Sequence, residues 1–273
     1  MVRKIRREGR FMSFQKTEIT PIRMPLVQKG ADVALQLLRS ATEAGLNLQD
    51  EDIVAVADKI LAIAEGRVVN YTRIEASPRA RQLGEEFDLE PGFVELVLQE
   101  AERVYGGVKR ALLTLKHGVL IANAGIDHKN VPTGNACLWP ENPNATAQAL
   151  RHSLQSLTGK RLGVILVDSH VMPLRMGTVG FALGIAGFEP VRDCRGALDL
   201  YGKPLLITRV NIADDLASAA HIAMGETDER VPVAIIRGAP VKVTDVYDAE
   251  SIRIPPSVDL FMTVFRYAGK SPE

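Results

Sequence analysis

Apolar positions along the chain recur at two spacings, and each spacing predicts a different element. Val33, Leu37 and Leu38, with Ala34 and Ala41, share one helical face in a segment over 31–46, and Gly45 stands near its end. Asp52-IVAVAD reads as a short buried strand, and Arg67-VVNY as another after the Glu65-Gly66 turn. Ser77-Pro78 is a helix start, with Ser as N-cap and Pro in the first turn. Pro91 opens a second helix carrying the stripe Phe93, Val94, Val97 and Leu98, and Gly106-Gly107 is expected to end it. Ala111-LLTL and Val119-LIA form a predicted hairpin around His117-Gly118. A polar loop is expected over 123–142, then a helix from Pro143 through Leu157, closed by Gly159.

Leu162-GVILVD is the clearest strand, an apolar β-branched run ending in a carboxylate. Thr178-VGFALGIAG is a Gly-spaced apolar run, and Leu205-LITRV reads as a strand. Ile212 to Met224 predicts an Ala-rich helix closed by Gly225, followed by the strand Val231-PVAIIRG and a short C-terminal helix in Val258-DLFMTVF. Helices and strands mix without a strict βαβ rhythm. The expected fold class is therefore α+β, with mixed sheets and flanking helices. The expected organisation is a basic tail over 1–16, one domain over 17–249 and a C-terminal extension over 250–273.

Composition narrows the function classes. The 273 residues carry 33 Lys+Arg against 33 Asp+Glu, so no global charge draws the chain to nucleic acid or an anionic membrane. Aromatic residues are 5%, with the single tryptophan Trp139, which argues against the stacking platforms of single-strand binders. Hydrophobic residues at 46% are enough for a real core. Arg3, Lys4, Arg6, Arg7 and Arg10 open the chain without a following apolar region, so no secretory signal is read there. No apolar run approaches the roughly 20 residues that span a bilayer. The expectation is a cytoplasmic protein with no nucleic-acid or membrane partner. Cys137 and Cys194 lie outside any CxxC pair and read as reduced thiols.

Phosphate loops of the GxxxxGK[ST] type, GxGxxG fingerprints, HExxH and GxSxG are all absent. What remains are carboxylates at strand ends and in Gly-bearing loops: Asp127, Asp168 with Ser169 beside it, and Glu226 after Met224-Gly225. A strand end fixes a carboxylate's direction while the adjoining loop gives access, which suits a hard cation with an oxygen shell. Asp at such positions also serves as turn former or helix cap, and that alternative stays open. His117, His128, His152, His170 and His221 do not form a ligand set by spacing.

At these motifs the chain resembles the coenzyme F-420 gamma-glutamyl ligases. Pro25-LVQKGADVA is similar to their N-terminal "P-L-I-x-x-G-D-D", Ala64-EGR to "KAEGR", and Pro91-GFVELVLQEAERV to a "P-x-F-V-x-x-V-L-x-E-S" helix. Asn123-AGIDHKNV matches "NAGID-x-S-N-V", Leu162-GVILVDS resembles "VGVIITDT", and Asp199-LYGKPL resembles "D-L-Y-G-R-x-L". Ala213-DDLASAAHIAMGE and Val231-PVAIIRG complete a resemblance that runs from about Ile19 to Gly238.

The resemblance implies GTP-dependent joining of L-glutamate to the deazaflavin coenzyme through an acyl phosphate. It also implies an intertwined homodimer. Asp127, Asp168, Ser169 and Glu226 fall on positions that hold two divalent cations, Mg²⁺ or Mn²⁺, with K⁺ as a further ion. Asp127 and Asp168 are the residues on which turnover is expected to depend. Met24, Pro25, Leu26, Val27, Asp58, Lys59, Asn130, Met224 and Gly225 are the implied nucleotide-side residues.

Four departures from the pattern stand out. Ile63 stands where the family has Lys, and Asp58-Lys59 replaces its polar pair. Arg23 stands at a small Gly of the N-terminal loop, or that loop is shortened, and Met172 replaces the first Arg of "DTxGRxxRxG", while Arg175 and Gly177 remain. If 58–63 were a strand, Lys59 would lie roughly 13 Å from position 63 and could not stand in for the missing Lys. A paralogue with another acceptor or amine, a metal-dependent phosphohydrolase, and a non-enzymatic small-molecule binder remain as other readings of the same residues.

Overall fold

The computed structural model describes residues 16–267, and the basic stretch over 1–15 lies outside the described residues. The chain opens with β1 (Glu18–Ile22), whose Pro21 is tolerable because the strand lies at a sheet edge. It continues through α1 (Val33–Glu43), capped by the Asp32 carboxylate at the Leu35 amide, and β2 (Ile53–Ala57). Then comes α2 (Asp58–Glu65), closed by Gly66 at φ +81°, then β3 (Val68–Asn70). The expected Ser77 cap forms at the Ala80 amide and starts α3 (Pro78–Phe87); α4 (Pro91–Glu100) follows.

A three-stranded meander comes next: β4 (Arg103–Val108), β5 (Ala111–Lys116) and β6 (Val119–Ala122). The chain then runs through β7 (Asn135–Cys137), α5 (Pro143–Thr158), β8 (Gly163–Val171), β9 (Thr178–Ala186) and β10 (Val191–Asp193). It ends with β11 (Arg209–Asn211), α6 (Ile212–Met224), β12 (Val233–Arg237) and α7 (Leu260–Tyr267).

The central sheet has five strands in the order β1-β12-β2-β8-β9. Only β2 and β8 run parallel; the other neighbours are antiparallel. Both faces of β2 are covered, and its alternate residues feed two cores. Val54 and Val56 pack with α1 and α5 through Leu37 and Leu154. Ile53 and Ala55 pack with α6 through Leu216 and Ala220. Full burial explains why β2 and β8 read as continuous apolar runs rather than alternating ones. Each fully buried Leu or Ile here contributes roughly 1.5–3 kcal/mol of transfer free energy. A third core joins α3 and α4 to the meander through Phe93, Val97 and Leu112. Trp139, Phe181, Leu183 and Ile121 bridge the meander to the central sheet.

The α+β class holds, with four corrections. Helix α4 ends at Glu100, and Gly106-Gly107 belong to β4, where the register shifts between Val104 and Gly106. A Cβ on Gly107 would stand 2.5 Å from the Ala111 carbonyl oxygen, so the glycine serves hairpin closure rather than helix termination. The loop expected over 123–142 contains β7, which pairs with β3. Leu205 to Thr208 is not strand; only Arg209–Asn211 pairs, with β10. Residues 58–65 are helical, so Lys59 and Ile63 share a helix face one turn apart, about 6 Å of rise, and not opposite ends of a strand. No helix among the described residues is long and apolar enough to cross a membrane.

Candidate active site

Asp58 is the first residue of α2, held where the chain turns out of β2, and it is 7% exposed. Asp168 stands on β8, the parallel neighbour of β2, and the pairing of Ala57 with Val167 brings the two carboxylates to one end of the sheet. Asp127 comes from the Asn123-AGID segment and is tied down by reciprocal backbone bonds with Cys137. Three acidic residues from distant parts of the chain thus converge. Burial, then repulsion by Asp168, holds the Asp58 carboxyl well above its ordinary range. Burial pushes Asp168 up to about 6, against hydrogen bonds from Trp139 and the Ser169 amide that favour its charged form.

Lys59 answers part of this charge. Its ammonium donates to Asp127 Oδ2 at 2.5 Å and to the Lys129 carbonyl at 3.2 Å, with the side chain only 23% exposed. Asp127 Oδ1 accepts from the Lys129 amide at 2.8 Å. The Lys129 ammonium then reaches Glu226 Oε2 at 3.2 Å. Glu226 also bonds His221 Nε2 and the Ser169 hydroxyl. Burial works against the Glu226 carboxylate, but hydrogen bonds from His221, Lys129 and Ser169 outweigh it and hold its pKa below the ordinary value. One continuous polar chain therefore links Asp58, Lys59, Asp127, Lys129, Glu226 and Ser169.

Of the implied nucleotide-side residues, Asp58 and Lys59 stand in the acidic cluster, while Met24 to Val27, Asn130, Met224 and Gly225 lie at the turn after α6. The Met24 amide bonds the Arg230 carbonyl at 3.0 Å, and Arg23 Nε reaches the Glu229 carbonyl at 3.3 Å. Asn130 Nδ2 donates to the Thr227 carbonyl at 3.0 Å. Pro25 and Leu26 are exposed and Val27 half-buried, so this segment is open to a ligand on one side. Gly225 has φ +77°, a conformation that favours glycine, and the end of the Glu229 side chain fills the space beside it. The side chains of Met24 and Met224 are buried in the two cores on opposite faces of the sheet. Met172, Arg175 and Gly177 lie in the exposed connection between β8 and β9.

Sequence reasoning missed Trp139, whose Nε1 donates to Asp168 Oδ2 at 2.7 Å. It also missed Lys129 as a cation at the site and His221 as the partner of Glu226. The His221 signal was available: five residues separate it from Glu226 across a helix C-terminus. Among the described residues, no three His, Cys, Asp or Glu side chains form a ready metal-binding group. The donor set is nonetheless all oxygen, and its mutually repelling carboxylates favour added positive charge, which fits a hard divalent ion.

The comparisons with known proteins identify the family. The family model described as F420-0:Gamma-glutamyl ligase matches residues 21–238. The chain belongs to this family. The coenzyme F420:L-glutamate ligase of Methanothermobacter thermautotrophicus is 41% identical over 218 residues, covering 80% of this chain and 86% of that protein. The enzyme of the same name from Methanocaldococcus jannaschii is 37% identical over 248 residues, covering 90% and 97%. That of Archaeoglobus fulgidus is 34% identical over 240 residues, covering 86% and 94%. The family is one of ligases that form a peptide-type bond, so the chain is an enzyme of that class. Within it, Ile63 puts no charge at its own position, while Lys59, one turn earlier on the same face, sends its ammonium to the acidic cluster.

Proposed function

We propose that this enzyme joins L-glutamate to the deazaflavin coenzyme in a GTP-dependent reaction that passes through an acyl phosphate. The observation that carries the reading is the convergence of Asp58, Asp127 and Asp168 beside two lysines, within a chain of this family. In the first step an oxygen of the acceptor carboxylate attacks the γ-phosphorus of GTP, and GDP leaves. In the second, the glutamate amine attacks the acyl phosphate carbonyl, phosphate leaves and the amine loses a proton. No protein nucleophile is required, which agrees with the absence of Ser-His and Cys-His signatures.

Asp127, Asp168, Ser169 and Glu226 are the residues that would hold divalent cations, Mg²⁺ or Mn²⁺. Such ions neutralise the charge that builds up as a carboxylate approaches a γ-phosphate. The chain's own groups do the rest. Lys59 holds Asp127 in place and adds a positive charge to the cluster. Lys129 spans Asp127 and Glu226 and so joins the two ends of the site. Met24 to Val27, Asn130 and the Gly225 turn line the side on which the nucleotide would bind. Burial of Asp58 and Asp168 excludes water from one flank, where an acyl phosphate would otherwise hydrolyse. The enzyme acts as a homodimer in this reading; support comes from Leu174 and Met176 between β8 and β9, and Leu200, Tyr201 and Ile207 between β10 and β11, large apolar side chains left exposed.

The test is direct. Protein incubated with GTP, Mn²⁺, L-glutamate and the unglutamylated coenzyme is expected to release GDP and yield a product heavier by one glutamyl unit. GDP release that needs no acceptor would instead identify a phosphohydrolase. Absence of GDP under all acceptors would sink the ligase reading.

A further inference from the structure

The chain's only tryptophan is fully buried and stands against the acidic cluster. Its indole N–H, which can donate but not accept, meets Asp168 Oδ2 at 2.7 Å. The other oxygen, Oδ1, accepts from the Ser169 amide at 2.7 Å. Both oxygens of Asp168 are therefore held, and the carboxylate has one orientation.

The indole itself cannot swing. The Lys116 ammonium lies 5.4 Å from the ring centroid, and Phe181 and His117 lie at 6.3 and 6.4 Å. Lys116 is 3% exposed and bonded to Glu100 at 2.6 Å; Glu100 also pairs with Arg67 at 3.1 Å. Arg67 in turn donates to the Trp139 carbonyl at 3.0 Å, so the same ion cluster clamps both the backbone and the ring face. Gly125, two residues before Asp127, leaves the space the ring fills: a Cβ there would be 2.1 Å from Trp139 Cε2. The segment that carries Asp127 is thus shaped around the residue that holds Asp168.

We propose that Trp139 is a positioning residue: its indole N–H, clamped by Lys116, Glu100 and Arg67, sets the orientation of the Asp168 carboxylate and couples it to the Asp127 segment through Gly125. The alternative, a merely space-filling tryptophan, does not require a donor at Nε1. This inference rests on the proposed role of Asp168 in cation binding, and its test can fail independently of that role.

Because Trp139 is the sole tryptophan, its emission reports on Asp168 without any assay of turnover. Titrating Mn²⁺ into the full-length protein is expected to change that emission saturably, and Asp168→Asn is expected to abolish the change. Trp139→Phe keeps an aromatic ring and removes the donor. It is expected to raise the Mn²⁺ concentration for half-maximal binding, read by electron paramagnetic resonance of free Mn²⁺, about ten- to hundredfold, with the nucleotide KM within about twofold. If Trp139→Phe does not fold, replacement of the sole tryptophan by benzothienylalanine, which keeps the bicyclic shape but lacks the N–H, is expected to give the same shift. Unchanged Mn²⁺ binding in the benzothienylalanine protein would overturn the proposal. So would a Trp139 emission indifferent to Mn²⁺ in protein that still forms GDP and glutamylated coenzyme, a result that leaves the ligase reading standing.

Discussion

The two ends of the polar chain are built by different means. Asp58, Asp127 and Asp168 stand on a helix start, a backbone-bridged segment and a central strand, and two of the three have carboxyls raised chiefly by burial. Glu226, Lys129 and Asn130 stand on turns, where burial of Glu226 is only partial and hydrogen bonds outweigh it to favour its charged form. The first end concentrates like charge on regular structure, and the second spreads its groups over turns. A site of this kind keeps its reacting geometry on regular structure and leaves ligand capture to loops.

The largest effect expected from this contrast is at the buried end. Asp127→Ala and Asp168→Ala should each abolish GDP formation, and raising the cation concentration should not restore it. Glu226→Gln keeps an oxygen donor on a turn. It should cost about tenfold at limiting Mn²⁺ and recover at high Mn²⁺. Equal, unrecoverable loss in all three variants would erase the distinction between the ends.

Lys59→Met sharpens it further. The variant leaves Asp127 facing two other carboxylates without its ammonium partner. We expect kcat/KM for the nucleotide to fall about ten- to hundredfold, or about 1.4–2.7 kcal/mol of transition-state stabilisation. A nearly unchanged value would mean that Lys129 alone supplies the charge.

The smallest effect concerns stability. Asp58 has a folded-state pKa above its unfolded value, so the native state holds the proton more tightly. Its ionisation therefore costs native stability as pH rises from about 4 through the raised pKa. Asp58→Asn should raise the melting temperature of the ligand-free protein at pH 7, by about 2–4 °C for each kcal/mol relieved. The gain should vanish near pH 3, where Asp58 is largely protonated in both the folded and the unfolded state. Thermal melts at the two pH values check this, and an equal gain at both would refute the electrostatic cause.

Much of the fold was legible because its elements are long or well punctuated. Helix α6 was delimited by its Ala-rich periodicity and Gly225, α3 by Pro in the first turn after a capping Ser, and α5 by Pro143 and Gly159. Helix α2 was not legible. Its residues Asp58-KILAIAE follow a strand without a break, its Ala57 cap makes no side-chain bond, and eight residues are too few for periodicity to separate helix from strand. That one misreading put Lys59 far from position 63. The short β7 and β11 were hidden for another reason: three residues become a strand only when a distant partner supplies the ladder.

The amino-acid sequence by itself determined the α+β class and the ordered motifs from Pro25 to Gly238, and it marked Asp127, Asp168 and Glu226 as candidates, because local periodicity, caps and strand-end carboxylates are properties of neighbouring residues. Only the tertiary structure decided that Asp58 joins Asp127 and Asp168, that Lys59 turns toward them, and that Trp139 holds Asp168. Those relations depend on the parallel pairing of β2 with β8 and on desolvation by both cores, and neither is encoded in any one stretch of chain.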